Sequence, residues 1–177
     1  WTTGPAQAAA ERRGDSTKNR VTIKDNAVVT NVFGGFTDVA GGKATGNSVT
    51  VEKNLAAHVV GGAAKGEASG NIVTIRANAG DVTGGASTGM ASGNMVSLAN
   101  ASVSSVTGGA GVTTHNNTVS LEGGAIVSGA VTGGTAADGT GNTLNVRGTN
   151  TAQNIAGFQK VKFDAANVAA GTTMLNL

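Results

Sequence analysis

Cysteine is missing from all 177 residues. That excludes both a disulfide framework and a thiolate metal site. Tyrosine is also absent, and one Trp and four Phe (Trp1, Phe33, Phe36, Phe158, Phe163) are the whole aromatic complement. So few rings cannot stack a run of sugars or bases. Proline occurs once, and the 29 glycines keep no three-residue period, which excludes a collagen. Charged residues make up 12% of the chain, with 12 Lys and Arg scattered among 10 Asp and Glu. No basic stripe marks a nucleic-acid surface, so no nucleic-acid partner is expected. No apolar run reaches the roughly 18 residues that span a bilayer as a helix. Helix formers and leucine ladders are scarce, which excludes tetratricopeptide, ankyrin and leucine-rich repeats.

What is present is a repeated unit. Asn71-Ile72-Val73-Thr74-Ile75 is followed by Val82-Thr83-Gly84-Gly85. The asparagine recurs at Asn19, Asn47, Asn71, Asn94, Asn117 and Asn142, about 24 residues apart. Two positions on stand Val21, Val49, Val73, Val96, Val119 and Leu144. Two further on stand Ile23, Val51, Ile75, Leu98, Leu121 and Val146. Between the two columns runs a polar one, Thr22, Thr50, Thr74, Ser97, Ser120 and Asn145. Apolar–polar–apolar alternation is the period of a strand with one buried face. The Gly-Gly pairs of the repeated unit start at Gly34, Gly61, Gly84, Gly108 and Gly133, each two residues after a valine (Val32, Val59, Val82, Val106, Val131).

Val, Thr, Ser, Asn, Gly and Ala suit strands and turns. A period of this length in these residues predicts an all-β parallel solenoid of about six coils of roughly 24 residues. One coil cannot bury its own apolar face, so stacking supplies the core. Both apolar columns and the five valines before Gly-Gly are expected inside. The asparagine usually follows glycine, which reads as a tight turn; stacked amides bonding coil to coil are a compatible second reading.

Residues 1–18 lie outside the repeat and 19–177 form the solenoid domain. Residues 3–13 form either a short capping helix or a linker. Arg13-Gly14-Asp15 matches the short signal that integrins read on mobile turns, a candidate receptor-binding site; the plain alternative is a helix stop. Phe33 and Phe36 read as filling space beside a missing neighbour coil, or else as an exposed apolar contact site. Lys65 and Glu67 are close enough in sequence to pair, at little gain. Residues 142–177 leave the pattern, with Val161 and Phe163 alternating with Lys160 and Lys162. Met174, Leu175, Asn176 and Leu177 then form an uncapped strand edge, a candidate for end-to-end assembly. Without an initiating Met or a signal peptide, the chain reads as a segment processed or excised from a longer secreted protein.

The carboxylates share no column that would make an acid–base pair. His58 and His115 have no carboxylate at a metal-ligand spacing. The Gly-Gly pairs lack the Lys-Ser/Thr of a phosphate loop, and no calcium repeat recurs. The sequence therefore predicts no catalytic, cofactor-binding or metal residues, and no small-molecule substrate.

The unit Gly-Asn-x-Val-Thr/Ser-Ile/Leu with Val-x-Gly-Gly resembles the passenger region of bacterial autotransporter (type V secreted) surface proteins. Asn142-Thr143-Leu144-Asn145-Val146, Asn154-Ile155-Ala156-Gly157-Phe158 and Val161-Lys162-Phe163 are similar to a stretch common late in such passengers. The resemblance covers about residues 19–177. It implies a right-handed parallel β-helix, outer-membrane export and a cell-surface or extracellular location. Membrane contact would come only through a C-terminal barrel, which this sequence does not contain. Three functions follow as expectations: an adhesin or stalk that meets a host or neighbouring-cell receptor, a fibre subunit stacking head to tail, or a polysaccharide-active enzyme. An ice-binding solenoid is a fourth, suggested by the Thr/Ser column.

Overall fold

Strict alternation of β-branched and polar residues makes short strands, and the glycine corners between them turn the chain back on itself. The computed structural model describes residues 14–25, 28–55 and 57–177. In them the chain is a parallel β-solenoid without helix. Each regular coil contributes one strand to each of three sheets. The five-stranded sheet stacks Ser16–Thr17, Lys43–Thr45, Glu67–Ser69, Met90–Ser92 and Thr113–His115. The seven-stranded sheet runs from Arg20–Ile23 to Lys160–Asp164, and the eight-stranded sheet from Asn31–Phe36 to Leu175–Asn176. With neighbouring strands about 4.8 Å apart, seven strands span about 30 Å.

The solenoid has about seven turns, one more than the six predicted. The extra turn is Lys160–Asp164, which stacks in register on Thr143–Arg147 with Val161 over Leu144 and Phe163 over Val146. The N-terminal boundary also moves. Ser16 and Thr17 pair with Ala44 and Thr45, so the first coil begins inside the segment set apart as 1–18. The expected cap at 3–13 lies outside the described residues.

Both predicted columns face inward from the second coil to the sixth. Val49, Val73, Val96, Val119 and Leu144 are buried, as are Val51, Ile75, Leu98, Leu121 and Val146. The five valines before Gly-Gly are buried with them. Val21 and Ile23, also expected inside, are only half-buried, because the first coil has a described neighbour on one side alone. Two further inward columns complete the core. Ala44, Ala68, Ala91 and Thr114 line the five-stranded sheet, and Leu55, Ala101, Val103, Ala125 and Val127 close the third corner.

The asparagines form a continuous ladder, buried from Asn47 onward. From Asn47 to Asn142 each Oδ1 accepts both the backbone N–H and the side-chain Nδ2 of the asparagine one coil earlier, as at Asn94, which takes Asn71 N at 3.1 Å and Asn71 Nδ2 at 2.9 Å. From Asn47 to Asn117 the other Nδ2 hydrogen goes to a backbone carbonyl, as Asn94 to Ala68 O at 2.9 Å. The run continues from Asn19 to Asn142, where Gln159 takes the place of a seventh asparagine and accepts the Asn142 N–H at 2.9 Å. The turn reading and the ladder reading therefore hold together. The left-handed residue is the one before the asparagine: Gly46, Gly70, Gly93 and Gly141 have φ of 65°, 62°, 61° and 69°.

The ladder explains the Gly-Gly pairs. A Cβ on Gly62 or Gly85 would lie 2.6 Å from the Cγ of Asn71 or Asn94. A Cβ on the first glycine of a pair would strike the backbone oxygen of the next coil's first glycine, as Gly61 would on Gly84. Asparagine and Gly-Gly are thus two halves of one packing device. A smaller version occurs at another corner, where Asn78 N donates to Asn54 Oδ1 and Ser102 N to Asn78 Oδ1.

The device loosens at one place. Thr114 stands in the column of Ala44, Ala68 and Ala91. Its Oγ1 and the neighbouring Asn142 Nδ2 are buried without hydrogen-bond partners. An unsatisfied buried polar group costs about 1–3 kcal/mol. Thr114→Val keeps the shape and removes the hydroxyl, and should raise stability by about 1 kcal/mol in urea unfolding. A loss of stability in that variant would show that the hydroxyl is satisfied in solution.

Candidate functional site

No charged side chain among the described residues is buried, and the site candidates are the outer faces and the two ends. At the N-terminal end, Gly14 has a φ of 121° and Asp15 is exposed. One Asp15 oxygen accepts the Lys43 N–H at 2.9 Å, and the Gly14 carbonyl accepts Thr37 Oγ1 at 2.8 Å. Both residues are therefore tied to the first loop of the solenoid. Arg13, the third member of that candidate, lies outside the described residues.

The outer face of the five-stranded sheet carries an ion pair between coils. Lys43 Nζ lies 3.0 Å from Glu67 Oε2. Glu67 thus pairs with the residue stacked on it rather than with Lys65, its expected partner, because register neighbours sit one strand spacing apart. Its carboxyl is held below the ordinary value, first by the Ser69 hydroxyl and then by Lys43. The Lys43 ammonium is raised, chiefly by its hydrogen bond to Glu67.

The eight-stranded face brings together residues that looked unrelated in sequence. His58 Nδ1 lies 3.1 Å from Asp81 Oδ2, and Ser105 Oγ donates to Asp81 Oδ1 at 2.6 Å. Three successive coils thus supply a His–Asp–Ser row. Its order differs from a nucleophilic triad: the carboxylate sits in the middle, and the serine bonds to the acid instead of the imidazole. His115 is farther round the coil, with Nδ1 2.8 Å from Thr140 Oγ1.

Phe33 and Phe36 lie on the same outer face. They stack on Val60 and Ala63 of the next coil and meet edge to face at 5.6 Å. They do not fill the end of the core, because the inward positions of that strand belong to Val32 and Gly34. Phe36 heads a shallow apolar groove of about 680 Å³ that follows Ala63, Ala86 and Ala110 along the solenoid axis to Val112.

At the C-terminal end the last turn is short. Only 17 residues separate Asn142 from Gln159, since the chain crosses from the eight-stranded to the seven-stranded sheet without a strand in the five-stranded one. Phe158 fills part of the space left, lying over Gly133. The expected edge residues behave unequally. Leu175 and Asn176 pair with Asn150 and Thr151. Met174 and Leu175 pack partly against the core, while Leu177 is exposed. The larger apolar exposure is on the terminal strand Lys160–Asp164, where Val161 is 40% and Phe163 57% exposed although both sit in core columns. Alternation with Lys160 and Lys162 had marked the two as inward-facing; that nothing described lies above them became visible only when the turns were counted.

The seven-stranded face is the most regular. Its middle outward column is the Thr/Ser row, flanked on one side by Lys24, Glu52, Arg76, Glu122, Arg147 and Asp164. Ser97 donates to Glu122 at 3.0 Å, Asn145 Nδ2 donates to Ser120 at 3.2 Å, and Arg147 lies 3.8 Å from Asp164. No family model matches the chain, and no curated protein and no solved structure matches it either.

Proposed function

We propose that this chain is a non-catalytic rod of a bacterial cell-surface or secreted protein, exported as autotransporter passengers are, and that it works as a stalk or adhesin. The observation that carries the reading is how the interior is used. From the second coil to the sixth, the inward columns are filled with Val, Leu, Ile, Ala, Asn and Gly, with Thr114 in one alanine position. Recognition is left to the long outer faces, which is how stacked repeats present binding surface. Beads coated with the purified chain should attach to host or neighbouring bacterial cells more than beads coated with an unrelated protein. Asp15→Glu tests whether that attachment runs through Arg13-Gly14-Asp15. Hydrolysis of a common glycan by the purified chain, abolished by one Asp or Glu substitution, would replace the reading with an enzyme.

A second reading, a fibre subunit, is favoured by the exposed Val161 and Phe163 on a terminal strand that is paired along one edge only among the described residues. Such an edge can continue its ladder on another copy, and head-to-tail contacts need not close. On this reading sedimentation at micromolar concentration shows large species, and Phe163→Asp returns the chain to monomers. A monomer throughout that range removes the fibre and leaves the stalk.

A further inference from the structure

We infer that the N-terminal half of the seven-stranded face binds an extended acidic polysaccharide laid along the solenoid axis. This deepens the adhesin reading by naming the ligand class. A groove of about 580 Å³ runs over the first three coils of that face. Its floor is the row Thr22, Thr50 and Thr74, stacked in register. Its rims carry Arg20, Lys24 and Arg76, with Glu52 the one carboxylate among them.

The chemistry differs from the rest of the same face. Toward the C-terminal end the row is engaged by neighbours, Ser97 by Glu122 and Ser120 by Asn145. There too Arg147 has Asp164 beside it. The close ion pairs among the described residues are Lys43–Glu67, His58–Asp81 and Arg147–Asp164. None includes Arg20, Lys24 or Arg76. Three cations less one carboxylate leave an excess of two positive charges in the groove, equal to the formal net charge of the whole chain.

Hydroxyls repeat once per coil, about every 4.8 Å, roughly the advance of one pyranose in an extended chain. A hydroxyl can both donate and accept, so each can meet a sugar hydroxyl of either sense. Guanidinium groups pair with sulfate or carboxylate through charge-assisted, bidentate bonds. A sugar chain with anionic groups at its edges therefore meets hydroxyls below and cations beside it. A single-stranded nucleic acid would also be drawn by the charge, but it is held by stacked aromatic rings, and none lines this groove.

The test is calorimetric titration of a heparin-derived hexasaccharide into the purified chain. An uncharged cellulose oligosaccharide of equal length and an oligothymidylate serve as comparisons. Binding of the heparin fragment alone is expected, weakening about tenfold between roughly 50 and 200 mM salt as counterion release requires. Arg76→Gln should weaken it about tenfold, and Thr50→Val about threefold. Lys65→Gln, on another face, should leave it unchanged. Thermal melts of the variants, all at exposed or half-exposed positions, separate lost binding from lost fold. The inference is overturned by no binding, by equal binding of the uncharged chain or the oligothymidylate, or by affinity indifferent to both Arg76→Gln and Thr50→Val in folded protein. Cell attachment that persists without heparin binding defeats this inference and spares the adhesin; heparin binding without attachment does the reverse.

Discussion

Asn94→Leu should cost this protein about 4 kcal/mol or more of stability. Asn94 sits in the middle of the ladder and is fully buried. Its loss strands the N–H and Nδ2 of Asn71, which both donate to its Oδ1. It also takes a donor from Ala68 O and from Asn117 Oδ1. Each buried group left unsatisfied costs about 1–3 kcal/mol. Leucine adds a branched apolar side chain where Asn94 now packs against Gly85, with no room for even a Cβ on that glycine. Domain stabilities are typically about 5–15 kcal/mol, so the variant stands near its unfolding threshold. Urea unfolding followed by circular dichroism measures the effect. Asn78→Ala is the natural comparison, since Asn78 makes the same kind of bond at an exposed corner and should cost about 1 kcal/mol. Equal losses at the two positions would mean that burial of the ladder adds nothing.

Val73→Asp should be as severe, through a different mechanism. Val73 lies between Val49 and Val96 in the first inward column and has no accessible surface. An aspartate there is a charge in an apolar stack and costs several kcal/mol even if it takes up a proton. Thr74→Asp changes the next residue of the same strand, which faces the outer groove. It should fall within about 0.5 kcal/mol of the parent chain. Because contacts run only between neighbouring coils, Val73→Asp should also split the cooperative unit. Hydrogen exchange is then expected to show coils on one side of the substitution opening before those on the other. If Thr74→Asp unfolded the protein and Val73→Asp did not, the inward and outward columns would be exchanged.

The two substitutions also mark where sequence reasoning is strong. Val73 could be placed inside because alternation has a period of two and the same alternation recurs coil after coil. A register slip by one residue would have turned every column over. The tight turn before each asparagine was legible for a similar reason, since glycine at that position is the cheapest way to a positive φ. The asparagine ladder was visible only as one of two readings. An amide can cap a turn locally or bond along a stack, and which it does depends on the group one coil away. Its dependence on the second glycine of each Gly-Gly was not legible at all. Gly85 and Asn94 are nine residues apart and meet only because the coil closes.

The outer faces show the same division. Lys43 and Glu67, or His58, Asp81 and Ser105, belong to different repeats with loops of unequal length between them. Stacking brings each set into one row. Phe33 and Phe36 looked like filling for an open end because they are large and early in the chain. Strand pleat instead turned them outward onto Val60 and Ala63. By itself the sequence determined the parallel solenoid, its period and its inward columns, since those follow from repeated local alternation. Only the tertiary structure decided that there are seven turns, that asparagine and Gly-Gly interlock, and which polar residues share a face. Those are contacts between coils, and their partners are set by how the loops close rather than by any spacing along the chain.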